Sequence, residues 1–281
     1  MIVVTTLSVC VPAYNSGRTL ATTLRSILDQ DAEFELVVLD NASTDCTAEV
    51  AKSFDDPRIR LLRNDTVLNI GDNWDKAIRA CTGELVKVVC ADDVLRPDAL
   101  TTQLAVMAEA SIAICSSRFE VIDEDGAVLE TGLGLAGLLG RQTPRTLART
   151  IVRRGPADFG PTAAAMFYRE HYDRVGGLRG DLVFPMDVDL FARVSSFGVF
   201  FGMTDILAAW RNSSFNLCSQ TSTVSKLTDM YRFHHRIAND YPDLVHRGDV
   251  LAGDARLAKA ALHRLRVRTV ATVRKRPDLL V

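Results

Sequence analysis

Apolar residues in the first part of the chain fall into short runs, separated by polar turns and by stretches with helical spacing. Leu7 to Val11 (LSVCV) reads as a strand buried on both faces. Pro12, Ala13, Tyr14, Asn15, Ser16 and Gly17 follow as a turn. From Thr19 to Asp29, Leu20, Leu24, Ile27 and Leu28 recur on one helical face. Phe34 to Leu39 (FELVVL) predicts a second strand ending in Asp40, and a polar turn, Asn41 to Asp45, leads to a helix from Thr47. Ser43 or Thr44 is the expected N-cap of that helix. Ile59 to Arg63 predicts a third, short strand. Asn64 to Gly71 reads as a loop, and Asn73 to Ala80 as a helix stopped by Thr82 and Gly83. Leu85 to Cys90 is apolar except for Lys87 and predicts a fourth strand, which runs out into Asp92 and Asp93 ahead of Pro97.

Alternation of this kind, with short crossovers, predicts a Rossmann-like α/β fold: a mostly parallel sheet with helices on both faces. In such sheets ligands bind outside the carboxyl ends of the strands. Those ends here carry Tyr14 and Asn15, Asp40 and Asn41, Asp92 and Asp93. Two adjacent carboxylates repel each other unless a cation compensates them. A hard divalent ion completed by substrate phosphates would do so. A solvated turn capping the helix after Pro97 fits the same stretch taken alone.

The second half is less regular. Ile112–Cys115 and Arg118–Ile122 read as two strands separated by Ser116 and Ser117. Gly132 to Gly140, uncharged and rich in Gly and Leu, fits either a flap or a buried turn. Thr146 to Arg153 predicts a helix, Ala163 to Tyr168 an apolar run, and Arg169 to Val175 a short helix. The segment opening at Phe184 and carrying Asp187 and Asp189 predicts a helix to Ser196. Val199–Met203 and Ile206–Trp210 are strand candidates, Asn212 to Ser225 a polar loop over the site, and the chain is mostly helical from Val224.

Composition narrows the class. The chain has 281 residues, 47% hydrophobic and 24% charged, enough for one large α/β domain with an appendage or for two small domains. A net charge of −2 gives no global basic field for nucleic acid. Six scattered cysteines without CxxC spacing point to a reducing compartment and no zinc site. The N-terminus shows no signal-peptide pattern and the chain no run long enough to span a bilayer, so a cytoplasmic location is expected. Arg256 to Arg276 holds eight Lys or Arg and no acid. That basic helix fits a solvated face, or a peripheral contact with the inner face of a membrane.

Four blocks then give a resemblance. Val11-Pro12-Ala13-Tyr14-Asn15, Leu39-Asp40-Asn41-Ala42-Ser43-Thr44-Asp45, Asn69-Ile70-Gly71 with Asn73, and Cys90-Ala91-Asp92-Asp93 followed by Pro97 occur in order. With them residues 5 to 215 resemble the family 2 glycosyltransferases, an inverting group with the GT-A fold. The resemblance implies a GT-A domain over 1–215, divided into a nucleotide-binding half (1–100) and an acceptor and catalytic half (101–215). Residues 216–281 would form a helical extension. It implies a nucleotide-sugar donor, UDP-sugar favoured, lying on Pro12, Ala13, Tyr14 and Asn15, with Asp40, Asn41, Asn69 and Asn73 as further contacts. Asp92 and Asp93 would hold a divalent metal, Mn2+ or Mg2+, on the diphosphate, and Arg211 would approach the same group. Asp187, in a segment similar to the family's acidic block before L-x-x-R, would be the general base that deprotonates the acceptor hydroxyl or amine, with Asp189 the alternative. A saccharide, a lipid-linked sugar or a small natural product would serve as acceptor. The chain departs from the family pattern at Cys90 and Met186, where acids are frequent, and at Asn212, Ser213 and Ser214, where a histidine is frequent. Cys90 and Met186 leave a catalytically weakened nucleotide-sugar-binding protein as the alternative, and the missing histidine leaves open an extra metal or diphosphate contact. A dinucleotide-dependent oxidoreductase needs a glycine fingerprint that Ser16-Gly17-Arg18 does not supply.

Overall fold

The computed structural model describes residues 5–156 and 159–275, with side chains described through 264. Four parallel strands carry the N-terminal half: β1 (Leu7–Ala13), β2 (Glu35–Asp40), β3 (Ile59–Arg63) and β4 (Leu85–Val88), side by side in the order β3-β2-β1-β4. The register places Ala13 beside Asp40, so the two strand ends expected to meet a ligand lie together. The crossovers are helical: α1 (Leu20–Leu28), α2 (Thr47–Lys52) and α3 (Ile70–Arg79). Leu20, Leu24 and Ile27 of α1 are fully buried against one face of the sheet, while Ala77 and Ile78 of α3 belong to the core on the other.

The second half comprises β5 (Val94–Leu95), α4 (Ala99–Met107), β6 (Ile112–Ile122), β7 (Val128–Leu133), β8 (Gly140–Gln142), α5 (Pro144–Arg154), β9 (Ala165–Tyr168), α6 (Arg169–Arg174), α7 (Met186–Val194), β10 (Val199–Arg211), α8 (Leu217–Gln220), α9 (Thr223–Asp240) and α10 (Arg247–Lys275). It joins the first half through β9, which lies between β4 and β6 and runs antiparallel to both. β10 pairs parallel with β6, and β5 closes that edge antiparallel to β10. The sheet is parallel as expected from β1 to β4 and mixed beyond β4.

Several local expectations change for identifiable reasons. Ser116 and Ser117 do not break a strand; β6 runs through them because the backbone ladder to β9 and β10 continues at Ser116 and both side chains are buried. β10 likewise spans the gap between its two predicted pieces by an irregularity around Gly202 to Ile206. Gly202 is required there: a Cβ would lie 2.0 Å from the Leu138 carbonyl oxygen. Gly132 to Gly140 covers the end of β7, a turn and the start of β8; within the turn Leu135 and Leu138 are fully enclosed while Ala136 and Gly137 are exposed. The N-cap position of α2 is Cys46, which makes no side-chain cap; Asp45 Oδ1 takes the Thr47 N–H at 3.0 Å, while Ser43 and Thr44 are bonded to Asn15. α3 starts at Ile70, inside the expected loop, and the expected loop over 212–225 contains α8 and the start of α9.

Met230, Phe233 and Ile237 of α9 and Val250 of α10 share one hydrophobic cluster with Leu147 and Ile151 of α5 and Leu190, Phe191 and Val194 of α7. Among the described residues no helix is long and apolar enough to cross a membrane. Arg256, Lys259 and Arg264 of α10 are exposed. The remaining side chains of the basic run, from Arg266 to Arg276, lie outside the described residues.

Lys87, the polar interruption in β4, is fully buried, and its Nζ donates to Gln103 Oε1 at 2.6 Å and to the Ala165 carbonyl at 3.4 Å. Burial lowers its pKa to about 7. Between that value and the ordinary lysine pKa the unfolded chain binds a proton that the folded chain does not. Stability therefore rises with pH across the window, with the full penalty present below about 7. Urea unfolding should gain about 2 kcal/mol more between pH 7 and 9 in the native chain than in Lys87→Met. Parallel pH profiles for the two proteins would contradict this assignment.

Candidate active site

The loops after β1 and β2 are stitched together. Asn15, at a positive φ of 47°, donates its N–H to Ser43 Oγ at 2.9 Å and accepts the Thr44 N–H on Oδ1 at 3.0 Å. Asparagine tolerates that left-handed conformation better than most side chains. Ser16 N–H reaches Thr47 Oγ1 at 2.7 Å, and Gly17 N–H reaches Asp45 Oδ2 at 3.0 Å. The result is a fixed wall on which Pro12 and Ala13 are buried and the Tyr14 ring is half exposed. Asp40 is fully buried at the end of β2. It accepts the Ser43 N–H at 3.0 Å and forms an ion pair with Arg63.

Behind this wall lies an amide network that sequence reading missed in part. Asn64 donates through Nδ2 to Asn41 Oδ1 at 2.8 Å and to Asn73 Oδ1 at 3.0 Å, and accepts from Lys76 Nζ at 2.7 Å. Asn41 also takes the Leu68 N–H and donates to the Leu68 carbonyl, both at 2.9 Å. Asn69 caps α3 through the Asp72 N–H. Asn41, Asn69 and Asn73 thus fix the 64–69 loop.

Beyond β4 the chain turns sharply, with the Asp93 N–H on the Cys90 carbonyl at 3.0 Å. The next three carbonyls are all pinned. Thr19 Oγ1 donates to Ala91 O at 2.8 Å, Arg211 Nε to Asp92 O at 2.9 Å, and Thr23 Oγ1 to Asp93 O at 2.8 Å. Arg211 is buried, and its Nη1 donates to the carbonyls of Asp123 and Glu124, each at 2.9 Å. These donors clamp the acidic turn to the β6–β7 turn. Candidate ligand atoms of Cys90, Asp92 and Asp93 all lie within 4.8 Å of one another.

Charge is only partly compensated here: the nearby Arg211 guanidinium offsets both carboxylates in part but is spent on backbone carbonyls and makes no ion pair with either. The buried carboxylates of Asp40, Glu120, Asp189 and Asp249 each have an arginine within ion-pair distance. Among the described residues Asp93 has none, and takes only the Arg211 N–H at 3.2 Å. Burial pushes the Asp93 carboxyl well above the usual carboxylate range, and the neighbouring Asp92 charge adds to it. Burial also raises Asp92. An unneutralised pair of this kind fits a divalent cation.

Asp187 comes to the same place from the other half of the chain. It is the second residue of α7; Oδ1 accepts the Val188 N–H at 2.8 Å and Oδ2 accepts from Thr162 Oγ1 at 3.2 Å. Burial raises its pKa, against those two hydrogen bonds. The Cys90 thiol is pushed up by burial, then by the charges of Asp93, Asp92 and Asp187. Thr162, in the turn before β9, was not singled out in the sequence; its only signal was the preceding Gly160-Pro161.

Asp189 points the other way. It is fully buried, with Arg193 at 2.8 Å and Arg179 at 3.3 Å. Arg179 continues to Asp240 of α9 at 2.5 Å, and Asp229 of α9 accepts the Phe184 N–H at 3.2 Å. α9 therefore holds the segment from which Asp187 projects.

The fold has known counterparts. S. aureus TarS in complex with UDP-GlcNAc superimposes with a TM-score of 0.63 at 18% identity, covering 83% of this chain and 67% of that one. The mannosyltransferase PcManGT from Pyrobaculum calidifontis, in complex with GDP-Man and Mn2+, does so with a TM-score of 0.61 at 19% identity, covering 97% and 81%. The architecture is thus of the GT-A glycosyltransferase type. Residues 8–176 match the model for glycosyl transferase family 2, and the chain belongs to that family. The UDP-Glc:alpha-D-GlcNAc-diphosphoundecaprenol beta-1,3-glucosyltransferase WfgD of Escherichia coli is 28% identical over 122 residues, 43% of this chain and 48% of WfgD. The chain spans about half the length of the curated relatives it matches.

Proposed function

We propose that the chain is an inverting glycosyltransferase that moves a sugar from a nucleotide-sugar, a UDP-sugar above all, to an acceptor hydroxyl or amine. The observation that carries this reading is the convergence of Asp187 with an acidic turn whose buried Asp93 has no lysine or arginine at ion-pair distance among the described residues. The nucleotide lies against the wall formed by Pro12, Ala13, Tyr14 and Asn15, with the Asp40 and Asn41 loop beside it. Asn69 and Asn73 act by holding the adjoining loop, and Arg211 by fixing the acidic turn. Asp92 and Asp93 hold a divalent metal, Mn2+ or Mg2+, which when bound neutralises the departing diphosphate. Asp187 accepts the acceptor's proton as the new glycosidic bond forms, and Thr162 orients its carboxylate.

A lipid-linked saccharide is the acceptor class that the name of WfgD supports. Such an acceptor fits work at the inner face of a membrane, with the exposed Arg256, Lys259 and Arg264 of α10 facing anionic lipid. A thermal-shift screen of nucleotide-sugars with and without Mn2+ tests the donor assignment. Saturating UDP-sugar with metal should stabilise the fold by about 3 kcal/mol at a hundredfold excess over Kd. Metal-independent shifts, or none with any nucleotide, would refute the reading. Stabilisation without transfer would favour the weakened binding protein to which Cys90 points.

A further inference from the structure

Cys90 stands at the strand exit beside Asp92 and Asp93, and its sulfur belongs to the same cluster of ligand atoms, all within 4.8 Å of one another. Around one ion a thiolate at about 2.3 Å and a carboxylate oxygen at about 2.1 Å are separated by about 3 to 4.4 Å. The three side chains therefore need only small adjustments to share an ion. Their backbone is already fixed: the Cys90, Ala91, Asp92 and Asp93 carbonyls each accept a hydrogen bond from within the chain. A cradle held in this way sets ligand directions before any ion arrives. Among the described residues Asp93 has no ion pair, against those at Asp40, Glu120, Asp189 and Asp249, and the Arg211 guanidinium beside it is committed to backbone carbonyls, which favours a cation at this spot.

Ligand chemistry then selects among cations. Carboxylate oxygens alone suit hard ions such as Mg2+, whereas a sulfur donor favours borderline and soft ones. We propose that Cys90 supplies a sulfur ligand beside Asp92 and Asp93, so that the site takes a thiophilic or borderline divalent cation, of the Co2+, Zn2+ and Cd2+ class, in preference to Mg2+. This rests on the reading of the acidic turn as the donor's metal site and deepens it. The thiol proton passes to solvent as the sulfur–metal bond forms, and the cation keeps its charge.

Co2+ reports directly on such a ligand. The full chain with UDP is titrated with Co2+ and, separately, with Mg2+ and Mn2+, following ultraviolet absorption and heat. The native protein should develop a thiolate-to-cobalt charge-transfer band that saturates at one equivalent. Cys90→Ser should lose that band and bind Co2+ at least about tenfold more weakly, while its Mg2+ affinity changes less than about twofold. Cys90→Asp should bind Mg2+ more tightly than the native chain. Co2+ binding without the band, or with equal affinity in Cys90→Ser, overturns the proposal and leaves the metal site standing. Failure of all three ions to bind with UDP overturns both. Alkylation mapped on the native chain gives a second measure that needs no variant: Co2+ should protect Cys90 and leave the exposed Cys46 reactive. Unprotected Cys90 in saturating Co2+ is the contrary result.

Discussion

Asp187→Asn should lower the transfer rate about 10³-fold while leaving nucleotide affinity within a factor of a few. The amide keeps the shape of the side chain and can still meet the Val188 N–H and the Thr162 hydroxyl, which contact the native carboxylate at 2.8 and 3.2 Å. What it loses is the capacity to take a proton from the acceptor. Single-turnover transfer and calorimetric UDP titration separate the two effects. Asp189→Asn supplies the contrast. Its carboxylate faces Arg193 and Arg179 in the interior, so that substitution should cost about 3 kcal/mol of folding stability by leaving buried arginine charge unpaired. A variant of Asp187 that retained full turnover would remove this residue from the chemistry, and a silent Asp189→Asn would remove the ion-pair account of α7.

The double substitution Asp92→Asn, Asp93→Asn should have the largest combined effect and an unusual signature. Transfer and metal-dependent nucleotide binding should both fall, the rate by about 10³-fold, because the site loses the ligands for the ion that neutralises the leaving diphosphate. The metal-free protein should nonetheless melt at a higher temperature than the native chain. Asp93 is buried beside another carboxylate and has no ion pair among the described residues, so neutral amides relieve a repulsion that the native fold carries. Differential scanning calorimetry in chelator reads the gain in stability, and UDP titration with and without Mn2+ reads the loss of binding. A stability loss in chelator would show that the doublet serves the fold and not a cation.

Much of this site could be read from residue order because each block lies at the end of a strand. Strand exits are marked by an apolar run giving way to Asn, Asp and Pro, and the β1, β2 and β4 exits follow that pattern. The rest depended on contacts between distant parts of the chain. β9 is four residues long and antiparallel, and no local pattern says that it enters between β4 and β6. Ser116 and Ser117 imitate a break because burial of a serine is set by its neighbours across the sheet. Thr162 and Asn64 lie 25 and 23 positions from Asp187 and Asn41, and only the fold brings each to its partner. Arg211 was legible as a charge near the site; its commitment to three backbone carbonyls was not, since carbonyls carry no sequence signal.

The grip of α9 on the α7 segment has a consequence for anyone exchanging parts between relatives. A hybrid enzyme that took residues 1–215 alone would strip Met230, Phe233 and Ile237 from the hydrophobic cluster to which Phe191 and Val194 belong. It would also leave Arg179 without Asp240. The smallest transplantable unit is therefore longer than the stretch that carries the recognisable blocks, and the cut belongs after the penultimate helix or later.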